Sequence, residues 1–296
     1  MPMTLSHGRA VALMVVVTLL WSTAGVVTRH LEQARSFEIT FWRSFFTVMS
    51  LLVILPLLQG RSVFARMTTG GKTLWLSGLC WSVMFTAFML ALTLTSVANV
   101  LVTLAIGPLL TALVARVVIG HRIAAHTGVA IAVAGAGIAW MHGQQFAVGQ
   151  ARELLGTLVA LMVPIAGAIN WTLVQRSQAQ GQKIDLMPAV LVGAIISTLA
   201  TLPLALPWSA SAHDLGWLAF LGLTQLAIPC VLSVWCASAL KAPEISLLAL
   251  LEVLFGILWA WIGAGEVPST SVYTGGALVI GALVVNEWMG MRQRKS

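Results

Sequence analysis

The sequence predicts an all-α membrane protein: about ten transmembrane helices, built as two five-helix repeats that are inverted relative to each other. Three observations lead there. Of the 296 residues, 59% are hydrophobic and only 8% are charged, whereas a soluble domain needs about 25% charged residues to coat its surface. Apolar runs of membrane-crossing length recur along the whole chain, separated by short connections. The two halves also share an outline: when Gly120 is laid on Gly265, Leu109 falls on Leu254, Leu113 on Leu258 and Ala115 on Ala260. WLSGLCW from Trp75 leads into the first copy of that stretch, as WLAFLGL from Trp217 leads into the second.

A hydrocarbon core about 30 Å thick is crossed by about 20 apolar helical residues. On that measure, spans fall near 9–30, 38–58, 74–94, 97–117 and 124–142. After the break GQQFAVGQARE they resume near 154–176, 187–207, 215–239, 245–264 and 272–290. The first repeat is thus 1–147 and the second 148–296. The runs lack the alternation that a membrane β-barrel requires. The first run is longer than the apolar part of a signal peptide and has no small-residue cleavage site, so it reads as a retained span.

Orientation follows from Lys and Arg, which accumulate on the cytoplasmic side. With the N-terminus inside, 12 of the 16 basic residues fall at cytoplasmic ends and only Arg29, Arg35, Arg43 and Arg152 fall outside. Both termini are therefore expected in the cytoplasm. A repeat with an odd number of spans must enter the membrane from opposite sides in its two copies. That inverted symmetry belongs to carriers that open one central site to each side in turn.

The formal charge of +7 is scattered at the ends of apolar runs, so it implies no nucleic-acid partner. Cys80, Cys230 and Cys236 all fall inside apolar runs, where they read as small core residues, and no metal or other cofactor is implied. The sequence has no His-Glu-x-x-His, Gly-x-Ser-x-Gly or Walker loop, so neither hydrolysis nor ATP-driven pumping is supported. Transport would then be facilitated or driven by an ion gradient.

Glu252 is the one acidic residue deep in a span. A carboxyl group at that depth faces the bundle interior or water, where it meets a substrate amine, carries a proton, or bridges two helices. Trp21, Trp171 and Trp235 lie deep in their spans, where an indole paves a pocket or fills space between helices. Ser22, Thr23, Ser82 and Asn99 lie at comparable depth, and the alternative for each hydroxyl is a bond back to its own helix. Asn170 and Gln225 are stronger candidates, because an amide has more groups to satisfy. Pro108, Pro164 and Pro229 interrupt three spans, as hinges or static kinks, and the hinge reading is favoured for Pro108 and Pro229. Arg43, in the outer part of the second span, has the charge to attract a carboxylate, but snorkelling to the interface is the default expectation. Gly-rich stretches such as GAGIAW and GGALVIGALV read as close helix packing.

Several short motifs resemble the drug/metabolite transporter superfamily and, within it, the ten-helix EamA type. They are Trp21-Ser22-Thr23, Phe41-Trp42-Arg43-Ser44-Phe45, Ala239-Leu240-Lys241-Ala242-Pro243, Leu251-Glu252 and Gly265-Glu266. The Trp-Ser-Thr opening is most similar to the YddG branch, which exports aromatic amino acids. The chain departs from the family pattern at His121, where Glu is usual, and at Val253, where Pro usually follows the acid.

Together these features describe a secondary transporter of the cell (inner) membrane. It is expected to export hydrophobic or aromatic amino acids and related small metabolites by alternating access. Its partners would be the small-molecule substrate and the lipid bilayer, with no obligatory protein partner. A membrane-embedded enzyme acting on lipid or isoprenoid is the alternative, but it needs carboxylates or histidines converging at one interface, and here they are dispersed. A channel would need a filter segment, and none is visible.

Overall fold

The computed structural model describes residues 5–119, 124–147, 151–179, 187–236, 239–240 and 242–293. The chain is helical throughout, with no strand among the described residues. Helices α1 (His7–Trp21) and α2 (Thr23–Thr28) form one span interrupted at Ser22. Then come α3 (Ser36–Gln59), the short α4 (Ser62–Thr69) and α5 (Gly71–Leu94). Helices α6 (Val97–Leu104) and α7 (Gly107–Ile119) share the next span, and α8 (Ala125–Ala147) follows. The remainder consists of α9 (Ala151–Ala179), α10 (Met187–Ala205), α11 (Ala212–Phe220), a π-helical stretch Leu221–Ala227, α12 (Ile228–Cys236), α13 (Ala242–Ala264) and α14 (Thr270–Gln293).

Eight of these segments are long and apolar enough to cross a membrane among the described residues. The segments expected at 124–142 and 245–264 contain the shorter apolar helices Ala125–Met141 and Leu248–Ala264. Helices suit these sequences because a backbone in hydrocarbon must satisfy its hydrogen bonds within the segment.

The main packing contacts all join an element before Ala147 to one after Ala151. Helix α5 lies against α9 and α10, α3 against α10 and the π-helical stretch, and α8 against α14. Helix α1 packs on α12 and α13, and α7 on α9. The largest core cluster centres on α6, where Val97, Ala98, Val100, Leu101 and Val102 are each 3% exposed or less. The Gly-rich stretches separate into two kinds. At the α8–α14 contact a Cβ on Gly275 would stand 2.5 Å from the Gly137 carbonyl oxygen, whereas Gly135 and Gly281 have nothing within 4 Å.

Two sets of carboxylate bonds fasten the end of the bundle that carries Arg29. The Asp214 carboxylate, at the start of α11, accepts the backbone N–H groups of Glu32, Gln33 and Ala34 at 2.9–3.0 Å and that of Ser211 at 3.3 Å. Reciprocally, Glu38 in the first turn of α3 accepts the N–H groups of Ser209 and Ala210, both at 2.8 Å, and the Ser209 hydroxyl at 2.7 Å. Each acid therefore caps the loop that leads into the other's helix. Both side chains are fully buried. Arg35 adds bonds to the carbonyls of Ala205 and Pro207.

The second set centres on Arg29, whose Nε donates to Glu266 Oε2 at 2.7 Å while its Nη atoms donate to the carbonyls of Leu92 and Thr95. The other Glu266 oxygen accepts the Val97 N–H at 2.6 Å, at the start of α6. Glu266 reaches this position because α13 ends at Ala264 and the φ of +64° at Gly265 turns the chain back over the helix end. The side chains of Arg29 and Glu266 are 28% and 20% exposed, so solvent screens the pair. Arg29→Glu and Glu266→Arg should each lower the melting temperature, and the double exchange should recover part of the loss. A double-mutant cycle should give a coupling of about 0.5–1 kcal/mol. Strictly additive single losses would show that the pair contributes nothing beyond its backbone bonds.

Candidate functional site

The interior of the bundle is polar along one face of α3. Thr40, Arg43, Ser44 and Thr47 follow the i, i+3, i+4, i+7 spacing of a single helix face, and all four are 1% exposed or less. That face has no lipid contact because α3 is pressed against α10 and the π-helical stretch. Ser44 and Thr86 both reach Ser197, at 3.0 and 2.9 Å, so three hydroxyls link α3, α5 and α10. The Thr47 hydroxyl bonds the Arg43 carbonyl at 2.8 Å and the Gly222 carbonyl at 3.2 Å.

Arg43 does not snorkel. Its Nη1 donates to Gln225 Oε1 at 3.0 Å, and its Nη2 to the Phe85 carbonyl at 2.6 Å. The guanidinium carbon lies 5.9 Å from each of the Phe85 and Phe88 ring centroids. Its Nε has no hydrogen-bond partner. The reason for burial is geometric. Seven residues into α3, about 10 Å along the axis, the side chain points between helices rather than along a lipid-facing groove. The close approach of Gly222, where a Cβ would stand 2.9 Å from the Arg43 carbonyl oxygen, brings Gln225 within reach. Gln225 sits in the π-helical stretch, a local widening common at functional sites.

One turn beyond Gln225, the buried Cys230 thiol is within electrostatic reach of both Arg43 and Glu252, and Trp21 is within hydrogen-bonding reach of it. Four spans approach that sulfur: α1 through Trp21, α3 through Arg43, α12 through Cys230 and α13 through Glu252. The sequence reading favours the interface for Arg43 over a role in attracting a carboxylate, and places Cys230 as a small core residue. The polar spacing along α3 is the sequence signal for Arg43; Cys230 has none.

The expected residues divide as follows. Gln225, 3% exposed, bonds Arg43, while the half-buried Trp21 and Glu252 fall within interaction range of Cys230. Asn170 is buried and accepts the Ser77 hydroxyl at 2.6 Å, bracing α9 against α5. Asn99 donates to the Thr95 hydroxyl at 3.0 Å, while its Oδ1 is buried without a partner. Ser82 is 6% exposed at the α5–α10 contact. Ser22 and Thr23 donate back to the carbonyls of Leu19 and Leu20, the local alternative anticipated for hydroxyls. Trp235 is 43% exposed, outside this buried cluster. The Trp171 side chain lies outside the described residues.

Pro108 stands in the first turn of α7, directly after the break between α6 and α7, and Pro229 follows the π-helical stretch as the second residue of α12. Pro164 lies inside the continuous α9, and its Cβ would be 3.8 Å from a Cβ placed on Gly107. Among the described residues no group of three or more His, Cys, Asp or Glu side chains could hold a metal ion.

The EamA-like transporter family matches residues 8–142. Residues 8–142, a little under half of the chain, are thus similar to a family of transporters. Fourteen solved chains match this one. One of them, titled only as the crystal structure of a protein, is 16% identical with a TM-score of 0.65, over 97% of this chain and 99% of that one. At that identity the likeness establishes the fold alone. No curated protein matches the sequence.

Proposed function

We propose that the protein is a secondary carrier of the inner membrane that exports hydrophobic and aromatic amino acids and related small neutral metabolites by alternating access. The observation that carries this reading is the interior cluster of Arg43, Gln225, Cys230 and Glu252, inside a bundle with a transporter-family domain. Such a centre offers one guanidinium and one carboxyl group amid aromatic and apolar walls, which suits a zwitterion with a large neutral side chain. Dicarboxylates and sugar phosphates would find no cluster of cations to replace their hydration.

Three spans near the centre are interrupted: at Ser22, between α6 and α7, and through the π-helical stretch. Broken helices at depth are a recurring feature of carrier sites. The helix pairing also supports two inverted five-span repeats, 1–147 and 148–296. Exchanging each span for its counterpart five along turns the α5–α9 contact into α12–α1, α3–π into α10–α5, and α7–α9 into α13–α1. The α8–α14 and α3–α10 contacts map onto themselves. In the proposed orientation both termini are cytoplasmic and the Arg29 end faces outward.

Counterflow in proteoliposomes tests the function. Labelled phenylalanine should exchange against unlabelled phenylalanine and leucine, and aspartate should not compete. Strong preference for an organic anion or nucleotide sugar would overturn the substrate class. Glu252→Gln preserves size but not charge, so exchange should fall about tenfold or more, the equivalent of one charge-assisted hydrogen bond. Unchanged rates across pH in that variant would reduce Glu252 to a structural role.

A further inference from the structure

Among the described residues, Arg43 is a buried cation without an ionic partner. It is 1% exposed, uses two Nη hydrogens on neutral acceptors, and leaves its Nε–H without a partner. No carboxylate lies within salt-bridge distance of it among the described residues. A guanidinium has five N–H donors, so three remain, one of them the Nε–H on its side edge. That edge presents the parallel donors that match the two oxygens of a carboxylate, a pairing that Lys cannot reproduce. Ionisable groups at membrane depth mark substrate and ion pathways, and this one has no resident counter-ion among the described residues.

We propose that Arg43 is the carboxylate anchor of the transport site, with Gln225 and the Phe85 carbonyl as positioning groups that hold the guanidinium plane. In this arrangement the anchor receives the α-carboxylate, and Glu252, within electrostatic range of the same Cys230 thiol as Arg43, is the acid left to meet the ammonium group. Arg43 then selects for amino acids over the corresponding amines and amides. This rests on the amino-acid carrier reading and goes beyond it, since aromatic walls alone would accept the uncharged analogues equally.

The test uses competitors of one shape. In counterflow of labelled phenylalanine by the wild-type protein, phenylalaninamide should compete roughly ten- to hundredfold less well than phenylalanine. In Arg43→Gln that ratio should fall to near one, and in Arg43→Lys it should fall part of the way. A wild-type ratio near one overturns the inference, and it needs no variant. A large ratio that persists in either variant overturns it as well, and Arg43→Lys decides the matter where Arg43→Gln does not fold. Should the wild type exchange no phenylalanine, the carrier reading fails, and thermal stabilisation by 3-phenylpropionate against 3-phenylpropanamide then decides the role of Arg43. Stabilisation by the acid alone, lost on substitution, supports the anchor; equal or absent stabilisation overturns it.

Discussion

Asp214→Ala should lower the unfolding free energy by about 3–5 kcal/mol, measured as a fall in melting temperature in detergent. The carboxylate accepts four backbone N–H groups at the Arg29 end, three of them from the loop between α2 and α3. It is fully buried, so water does not take over those donors when it is removed. Each orphaned donor costs about 1–3 kcal/mol, and relaxation of the loop recovers part of the sum. Asp214→Asn keeps one carbonyl oxygen and should lose roughly half as much. Glu38→Ala should behave alike, because it removes the reciprocal cap over Ser209 and Ala210. Variants that melt with the wild type would mean the two loops are held by packing and not by these bonds.

Gly275→Leu should be the most disruptive single change in an apolar segment, with a loss of about 3 kcal/mol or more. The nearest atom to a new Cβ, Met141 Cγ at 2.3 Å, belongs to a flexible side chain, but the Gly137 carbonyl oxygen at 2.5 Å belongs to the backbone. Helices α8 and α14 would have to separate along their whole contact. Gly281→Ala, on the same helix with nothing within 4 Å, is the control and should leave stability unchanged. Yield and melting temperature of the two variants check this directly. Equal behaviour would mean that the two helices are not in close contact in the membrane.

The span positions were legible because a membrane helix is written in one dimension, as an apolar run of the right length. The glycines were legible only as a class: which of them touches a neighbour depends on helix rotation, and that is settled by contacts across the chain. The hydroxyls of Ser22 and Thr23 followed a local rule and bonded three residues back. Arg43 shows where local reading stopped. Its depth suggested a side chain long enough to reach the interface, while the stripe through Thr40, Ser44 and Thr47 pointed inward, and the inward face prevailed. Its partner Gln225 is 182 residues away, as Glu266 is 237 residues from Arg29. Neither pairing leaves a mark in the spacing of nearby residues. Trp235, 43% exposed, makes a related point, since depth in a span does not say which way an indole turns.

The interleaving of the two halves bears on how the chain is made. Helices α5, α7 and α8 find their main partners in α9, α10 and α14, which leave the ribosome later. At roughly 5–20 residues per second, the first half waits in the bilayer for several seconds to half a minute before those partners exist. During that interval Arg43 has neither Gln225 nor a settled interior, and the small-residue faces of α8 stand open to lipid. Assembly of the bundle must therefore be largely post-insertional, with α14 closing over α8 only after the helices between them have been made.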